Sequence, residues 1–288
     1  MTDMILVTGA GGKTGRTLVK VLSNDESVRA FVHREEHVPV MKSLGAEKVI
    51  VGDMCDGSAI RSAMQSARAV YHVCPNMSPD ETVIGELVIR EARKAEVERF
   101  VYHSVLHPQT RNMHHHWQKL RVEERIFESG LPFTILQPAP YMQNLLASWK
   151  SILEEGILRV PYSVHSKFSF VDLEDVAEAA KIVLTEPGHV NAIYELAGTS
   201  PMSHLDVAQI ISRVLNRGVR AEKEETRDWR LRAKGMSEYA IDNLVRMFEY
   251  YDQWGLVGNP NVLRWLLKCE PTILEIFVER TLKETEIK

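Results

Sequence analysis

The sequence predicts an α/β fold with a doubly wound parallel sheet and a smaller, mostly helical C-terminal lobe. Strand-like and helix-like segments alternate along the first half of the 288-residue chain, a pattern typical of a parallel sheet covered by helices on both faces. A glycine-rich turn joins the first apolar strand directly to the first amphipathic helix. The hydrophobic content of 44% is enough for a substantial core.

The alternating segments follow one another in a regular order. Strands are predicted at Met4–Val7, Ser27–His33, Glu47–Gly52, Ala69–Cys74, Arg99–Ser104 and Pro132–Gln137. Helices are predicted from Gly12 onward, over Val38–Leu44, Gly57–Met64 and Thr82–Ala95, and from about His115 to Ser129. Ligands of such sheets bind beyond the carboxyl ends of the strands, so we expect the functional site there.

The alternation becomes less regular after residue 141. The predicted elements are a helix over Gln143–Glu154, an outward-pointing strand over Gly156–Pro161, a strand at Phe168 leading into a capped helix, a strand over Asn191–Gly198, and helices from Ser203 onward. We expect a Rossmann-type nucleotide-binding domain from residues 1–150 and about 166–200. Residues 151–165 and 201–288, approximately, would form a discontinuous substrate lobe whose aromatic side chains mostly fill its own core.

The first turn has the composition of a dinucleotide site. Glycines permit a sharp turn and a close approach of the backbone to a diphosphate, and the amides at the start of the helix attract its charge. The spacing Gly9-x-x-Gly12-x-x-Gly15 differs from the common G-x-G-x-x-G, and a merely flexible turn is the alternative. The position between strand and helix favours nucleotide binding. The residues assigned to this contact are Gly9, Gly11, Gly12, Lys13, Thr14 and Gly15.

Residues at the other strand ends refine the expected cofactor. His33 and Arg34 stand where NAD enzymes carry an acidic residue, and a guanidinium suits a 2′-phosphate, so NADP(H) is preferred and NAD(H) is possible. Asp53 would accept a hydrogen bond from adenine while Met54 packs on its ring; a turn aspartate is the alternative. The fourth strand end contributes Cys74, Pro75 and Asn76.

Bulk properties narrow the classes of protein. A net charge of −4 gives no sign of direct nucleic-acid binding, and no apolar run is long enough to span a membrane. Three scattered cysteines and a start within a core strand favour a reduced, cytoplasmic protein. We expect no metal site, because the adjacent histidines of His114–His116 point in different directions.

The chain resembles the NmrA-like group of atypical short-chain dehydrogenases/reductases. The residues that carry the resemblance are Thr8-Gly-x-x-Gly-x-x-Gly15, Arg29-Ala-x-Val-x-Arg34, Gly52-Asp53, Arg99-Phe-Val-Tyr-x-Ser104, His115-x-x-x-Lys119, Ser129-Gly-Leu-Pro-Phe-Thr-Ile-Leu-x-Pro138, Tyr141-Met-Gln-Asn144 and Phe170-Val-Asp172-x-x-Asp175-Val-Ala. The resemblance implies a Rossmann-type core that binds NADP(H). It extends to triphenylmethane-dye and quinone reductases, and to redox-sensing regulators with little or no turnover.

The resemblance also implies candidate catalytic residues. The superfamily uses Ser, Tyr and Lys, with Tyr-x-x-x-Lys supplying the proton donor and a ribose contact. Lys119 matches the lysine and Ser104 the serine, but His115 replaces the tyrosine. His115 and Tyr141 are therefore alternative proton donors. The structural alternatives are a His115 that faces solvent or lines the pocket, and a Ser104 that caps the strand end.

Further positions near the predicted nicotinamide end follow from the same motifs. Pro138, Tyr141 and Asn144 are assigned to the cofactor, and Asn144 is also a candidate helix cap. Asp172 and Asp175 are interpreted as structural, since an N-cap and a first-turn acid both suit the positive end of a helix.

Two functions are compatible with the missing tyrosine. In the first, NADPH reduces a small conjugated acceptor such as a quinone, dye or enone, which needs no strong protein acid. In the second, the protein senses the NADP(H) ratio and transmits it to a protein partner. A sugar-nucleotide epimerase is weaker, because its chemistry depends on the tyrosine. The sequence leaves the oligomeric state open.

Overall fold

The computed structural model describes residues 4–286. The strands are β1 Met4–Val7, β2 Val28–Val32, β3 Lys48–Val51, β4 Ala67–His72, β5 Arg99–His103, β6 Phe133–Pro138, β7 Ile157–Val160, β8 Ala192–Leu196 and β9 Arg220–Lys223. The α-helices are α1 Lys13–Leu22, α2 Val38–Ser43, α3 Gly57–Met64, α4 Glu81–Lys94, α5 His114–Phe127, α6 Trp149–Glu155, α7 Leu173–Thr185, α8 His204–Leu215, α9 Thr226–Arg232, α10 Glu238–Trp254, α11 Pro260–Leu267 and α12 Leu274–Glu286. Two 3-10 helices cover Glu35–His37 and Met142–Ser148.

Seven strands form one sheet in the order β3-β2-β1-β4-β5-β6-β8. The pairings from β3 through β6 are parallel. Because the chain moves outward in opposite directions from β1 and β4, the switch point lies between these two strands, where such folds bind their ligands. The predicted doubly wound, Rossmann-type α/β fold is confirmed.

The strands at the centre of this sheet are apolar runs because both of their faces are covered. Every residue of β1 and β2 is buried. On one face, α3, α4 and α5 contribute Ile60, Val88 and Val122 to a cluster that also contains Phe100 and Ile135. This cluster fixes the positions of α4 and α5 over β4 and β5.

The chain forms two compact units. The first combines the described part of Met1–Arg111 with His115–Gln137 and Val176–Tyr194; the second combines Asn112–His114, Pro138–Asp175 and the described part of Glu195–Lys288. In the second unit β7 pairs in parallel with β9, and the rings of Tyr162, Phe168 and Tyr251 pack together. Within residues 4–286, no helix has the length and apolar character required to cross a membrane.

The predicted helix Gln143–Glu154 is wrong in its first half. Residues 142–148 form a 3-10 helix, in which the amide of Asn144 donates to the carbonyl oxygen of Tyr141 at 3.0 Å. Bonds between residues three apart tighten the chain, and α6 begins only at Trp149. Asn144 therefore does not cap α6, whose N-cap residue is Ser148.

Other differences arise from pairing between distant segments. The predicted strand at Phe168 is reduced to isolated bridges with Met202 and Leu256. The predicted outward strand is β7, which pairs with β9 and whose Leu158 is buried. Strand β4 starts and ends two residues earlier than predicted, since it follows the register of β1, so Cys74 lies beyond its end.

Candidate nucleotide site

The turn between β1 and α1 allows its backbone to approach another group closely. Gly9 has a φ of +59°, a left-handed conformation that glycine adopts without steric penalty. A Cβ atom at Gly9 would lie 2.5 Å from the carbonyl oxygen of Val73, and one at Gly15 would lie 2.4 Å from the carbonyl oxygen of Gly9. Side chains are excluded at both positions, and α1 packs directly against the turn.

The start of α1 presents backbone amides beside this turn. Its N-cap residue, Gly12, makes no side-chain capping bond, and its first turn, which begins with Lys13 and Thr14, contains no acidic residue. The partial positive charge of a helix N-terminus therefore faces outward without a protein anion in that turn. This cradle fits a diphosphate.

Gly11 has a neighbour that was not predicted. A Cβ atom at Gly11 would lie 2.3 Å from Nδ1 of His37, so the imidazole ring lies directly over the turn. On the other side, Nε of Arg16 donates to the carbonyl oxygen of Gly11 at 2.8 Å. The residue spacing did not predict either contact. The His37 contact depends on how the segment after β2 folds back, and the Arg16 contact depends on how the first turn of α1 is placed.

His33 and Arg34 follow the carboxyl end of β2 and are exposed. The guanidinium of Arg34 lies 3.1 Å from the carboxylate of Glu36, and about two thirds of both side chains is exposed (67% and 65%). Exposed ion pairs of this kind contribute little to stability. Arg34 is therefore a cation at the strand end that can replace Glu36 by another anion as its partner.

The next two strand ends place exposed polar groups beside buried apolar ones. Oδ1 of Asp53 accepts the backbone amide two residues further along at 2.8 Å, which is the turn geometry that we considered as the alternative. Met54 and Cys74 are buried in the apolar cluster, while Pro75 and Asn76 are exposed. Only part of this predicted set thus presents side chains at the surface of the unit.

Lys119 is buried with its ammonium group paired. Its Nζ donates to Oε1 of Glu81 at 3.0 Å and to the carbonyl oxygen of His103 at 3.1 Å. The hydroxyl of Tyr102 donates to the same Oε1 at 2.8 Å, and Nζ lies 5.2 Å from the centre of the Tyr102 ring. Burial opposes the charge of Glu81, but Lys119, His115 and the hydrogen bonds hold its pKa below the ordinary value.

The spacing of apolar residues on two helices brings this pair together. Glu81, Ile84 and Val88 share one face of α4, and Lys119 and Val122 share one face of α5. Glu81 was not predicted as a site residue because the helix was expected to begin at residue 82. The same spacing, extended back by one residue, would have placed Glu81 on the buried face.

Two histidines near the ends of β4 and β5 are buried and neutral. Nδ1 of His72 is 2.8 Å from the hydroxyl of Thr8, and Nδ1 of His103 is hydrogen-bonded to the hydroxyl of Tyr71. Burial, together with the nearby charge of Lys119 and against that of Glu81, lowers the pKa of His72 to about 4 and that of His103 to about 3. They therefore add no positive charge beside Lys119 at neutral pH.

Ser104 lies directly beyond β5 and is fully buried. Its hydroxyl donates to Oε1 of Glu123, one helical turn after Lys119 on α5. Nε2 of Gln137 lies 2.9 and 3.0 Å from the two oxygens of the same carboxylate. Burial raises the pKa of Glu123. The Ser104 hydroxyl is thus committed to a buried network that was not predicted.

His115 is buried near the start of α5. Its ring meets that of His116 edge-on with 6.2 Å between centres, and Nδ1 of His116 lies 3.3 Å from the carbonyl oxygen of His107. Burial lowers the pKa of His116 to about 4. Among the residues that the structure describes, no group of three or more His, Cys, Asp or Glu side chains is arranged to hold a metal ion.

The remaining predicted residues belong to the second unit. Pro138 ends β6, half-buried Tyr141 precedes the 3-10 helix, and Asn144 is exposed within it. Asp172 precedes α7 and accepts the amide of Glu174 at 3.1 Å, as an N-cap residue does. Asp175 accepts the amide of Thr272 at 2.7 Å, so both aspartates have the structural roles that we predicted.

The sheet order and the glycine turn define a Rossmann-type dinucleotide-binding protein. The match to known families agrees with this class and is more specific: the chain belongs to the NmrA-like family, which matches residues 1–284.

Individual relatives cover from about three quarters to nearly all of the chain. The NAD(P)H azoreductase of Xenophilus azovorans is 28% identical over 250 residues, which span 85% of this chain and 86% of that protein. A (4-alkanoyl-5-oxo-2,5-dihydrofuran-3-yl)methyl phosphate reductase of Streptomyces griseus is 31% identical over 224 residues, which span 76% of this chain and 77% of that protein. The crystal structure of the Escherichia coli quinone oxidoreductase QOR2 with NADPH superposes with a TM-score of 0.84 at 25% identity, covering 97% of this chain and 100% of that one.

Proposed function

We propose that this protein is an NADPH-dependent oxidoreductase that transfers hydride to a small conjugated acceptor. The observation that carries the proposal is the turn between β1 and α1, in which Gly9 and Gly15 have no room for a Cβ atom. This turn lies at the switch point of the sheet. The relatives support the direction of the reaction, because they are reductases that use a nicotinamide cofactor or reduce a carbonyl-bearing ring.

We assign the contacts with the cofactor as follows. The amides at the start of α1 hold the diphosphate, Arg34 and His33 hold the 2′-phosphate, and Asp53 and Met54 lie at the adenine. The further contacts proposed are Cys74, Pro75 and Asn76 at the end of β4, Lys119 at the nicotinamide ribose, and Pro138, Tyr141 and Asn144 in the second unit. The Arg34 cation at the end of β2 would also favour NADPH over NADH, although Glu36 competes for it.

When bound, NADPH supplies the hydride. The protein then has to orient the acceptor and exclude water, which accounts for much of the acceleration in reactions of this kind. A quinone, azo dye or enone forms a resonance-stabilised product, so a strong protein acid is not required. We therefore propose that His115 and Tyr141 would orient the acceptor or donate a proton to its reduced form, and that Ser104 would be held in place by its hydrogen bond to Glu123.

The test combines binding with turnover. Purified protein is mixed with NADPH and a panel of quinones, azo dyes and triphenylmethane dyes, and the absorbance of the reduced nicotinamide is followed. We expect turnover above the protein-free rate, and a loss of roughly tenfold or more in Lys119→Met, because one charged hydrogen bond contributes about 1.5–3 kcal/mol. Lys150→Met, at an exposed lysine of α6, is the matched control.

Two results would change the assignment. Tight binding of NADPH with no turnover on any acceptor would favour a redox-sensing protein with a macromolecular partner. Absence of binding to either nicotinamide cofactor would refute both functions. The three free cysteines of residues 4–286 support a reducing, cytoplasmic setting for either one.

A further inference from the structure

We infer that Glu81 is a positioning residue, which fixes the direction and the charge of the Lys119 ammonium for contact with the nucleotide. The inference rests on the proposed function, since it requires Lys119 to meet the cofactor. It assigns a role to a buried acidic side chain at the start of α4.

The ammonium is held at two points on different elements. One N–H is directed to Glu81 on α4 and another to the carbonyl oxygen of His103 on β5. An ammonium group has three N–H bonds in tetrahedral geometry, so fixing two of them also fixes the third. Lys119 is 5% exposed, and its remaining N–H is therefore aimed rather than free to rotate.

Glu81 is itself held so that only one oxygen serves the lysine. Oε1 receives both Lys119 and Tyr102, at 3.0 and 2.8 Å. Oε2 is buried and has no N–H or O–H donor among the residues that the structure describes; the remaining partner of this carboxylate is the buried thiol of Cys74, which is only a weak donor. A carboxylate optimised for stability would have both oxygens satisfied, so this arrangement favours a functional constraint.

A purely structural ion pair is the competing explanation. Burying both charges loses hydration that their attraction barely recovers, so such pairs are weak sources of stability. Of the nearby histidines, His72 and His103 are neutral at pH 7, whereas His115 adds to the attraction that holds the pKa of Glu81 down. Glu81 thus remains the one carboxylate bonded to Lys119 in the described part of the chain.

A double-mutant cycle distinguishes positioning from structure. The dissociation constant for NADPH and the melting temperature are measured for the wild type, Glu81→Gln, Lys119→Met and the double variant. We expect Glu81→Gln to weaken NADPH binding about tenfold when Lys119 is present and less than twofold when residue 119 is Met. The melting temperature falls in each single variant and recovers in the double variant, where no buried charge is left unpaired.

Glu91→Gln is the matched control. Glu91 is a second buried acidic residue of α4, paired with Arg61 and Lys94 and about 15 Å along the helix from Glu81. We expect Glu91→Gln to lower the melting temperature while leaving the NADPH dissociation constant within twofold of the wild type. If Glu81→Gln is too unstable to purify, Tyr102→Phe, which removes the other donor to Oε1, is expected to weaken binding two- to threefold in the same Lys119-dependent way.

The outcomes separate this inference from the proposed function. If the wild type binds NADPH and Lys119→Met binds it weakly, but Glu81→Gln binds it normally or equally weakly in both backgrounds, positioning by Glu81 is refuted and the reductase proposal stands. If the wild type does not bind NADPH, the proposed function fails and this inference fails with it.

Discussion

The Cα atom of Gly15 lies so close to Gly9 that a methyl group on it would be 2.4 Å from the Gly9 carbonyl oxygen. The obstacle is backbone, which cannot move aside as the end of a flexible side chain can. The contact fixes the first turn of α1 against the strand that precedes it. The backbone amides of that helix are therefore held in one position relative to the sheet.

Gly15→Ala should consequently separate α1 from the turn. We expect it to lower the free energy of unfolding by about 1–3 kcal/mol, as overpacking does, and to weaken NADPH binding by more than tenfold. Urea denaturation and fluorescence titration would measure the two effects. Gly218→Ala is the control, because a Cβ atom at Gly218 meets nothing within 4 Å; equal effects of the two substitutions would contradict the prediction.

Most of the first unit is predictable from the sequence because its signals are local. The strand β1 and the helix α3 have the predicted bounds, since each apolar pattern ends at a glycine, a charged residue or a turn residue. The glycine turn and Arg34 were found by their positions next to strand ends. For these features local composition is sufficient, because the physical constraint lies within a few residues of the signal.

The remaining features depend on contacts between distant segments. The strand β9 has the sequence Arg220–Lys223, whose alternation carries little apolar signal, and it exists because β7 offers it an edge. The partner of Lys119 is 38 residues away in the sequence, and His37 reaches Gly11 only after the chain turns beyond β2. Spacing within one element cannot specify pairs of this kind.

Arg34→Ala is expected to change cofactor preference. Its guanidinium is exposed and weakly paired with Glu36, so its loss should hardly affect folding. A charged hydrogen bond to a phosphate contributes about 1.5–3 kcal/mol, which corresponds to at least tenfold weaker NADPH binding, whereas NADH binding should change less than twofold. Isothermal titration calorimetry with both cofactors would measure this, and equal losses for both would remove the argument for the 2′-phosphate.

Protein stability should fall as the pH is lowered below about 6.5. The pKa of His72 is lowered to about 4 and that of His103 to about 3, while an unfolded histidine titrates near 6.5. Between these values the unfolded chain binds more protons, so acid favours unfolding. Each such histidine should contribute a loss of about 1.4 kcal/mol at pH 5.5 relative to pH 7.5.

Urea denaturation at pH 7.5 and pH 5.5 would measure that loss. His103→Gln retains an acceptor for the Tyr71 hydroxyl, and we expect it to reduce the difference between the two pH values by roughly 1 kcal/mol. His165→Gln, at an exposed histidine, should leave the difference unchanged. A wild-type protein equally stable at both pH values would show that these histidines are not held neutral.

The close contact between α4 and α5 predicts that the effect of Gly85→Ala on protein stability depends on the side chain at residue 122. A Cβ atom at Gly85 would lie 2.7 Å from Cγ2 of Val122. Gly85→Ala gains about 1 kcal/mol of helix propensity but incurs about 1–3 kcal/mol of overpacking, so it should be neutral or destabilising by up to about 2 kcal/mol. Because Gly85 lies one turn after Glu81, the wider helix spacing should also weaken NADPH binding.

Val122→Ala removes both γ-carbons and should by itself destabilise the protein by roughly 2 kcal/mol. In that background only the Cβ of residue 122 remains, 3.3 Å from a Cβ atom at residue 85, so Gly85→Ala should now be neutral or stabilising by up to its propensity gain of about 1 kcal/mol. Urea denaturation of the wild type, both single variants and the double variant would measure the coupling. An effect of Gly85→Ala with the same sign and size in both backgrounds would show that this close approach does not set the distance between the helices that carry Glu81 and Lys119.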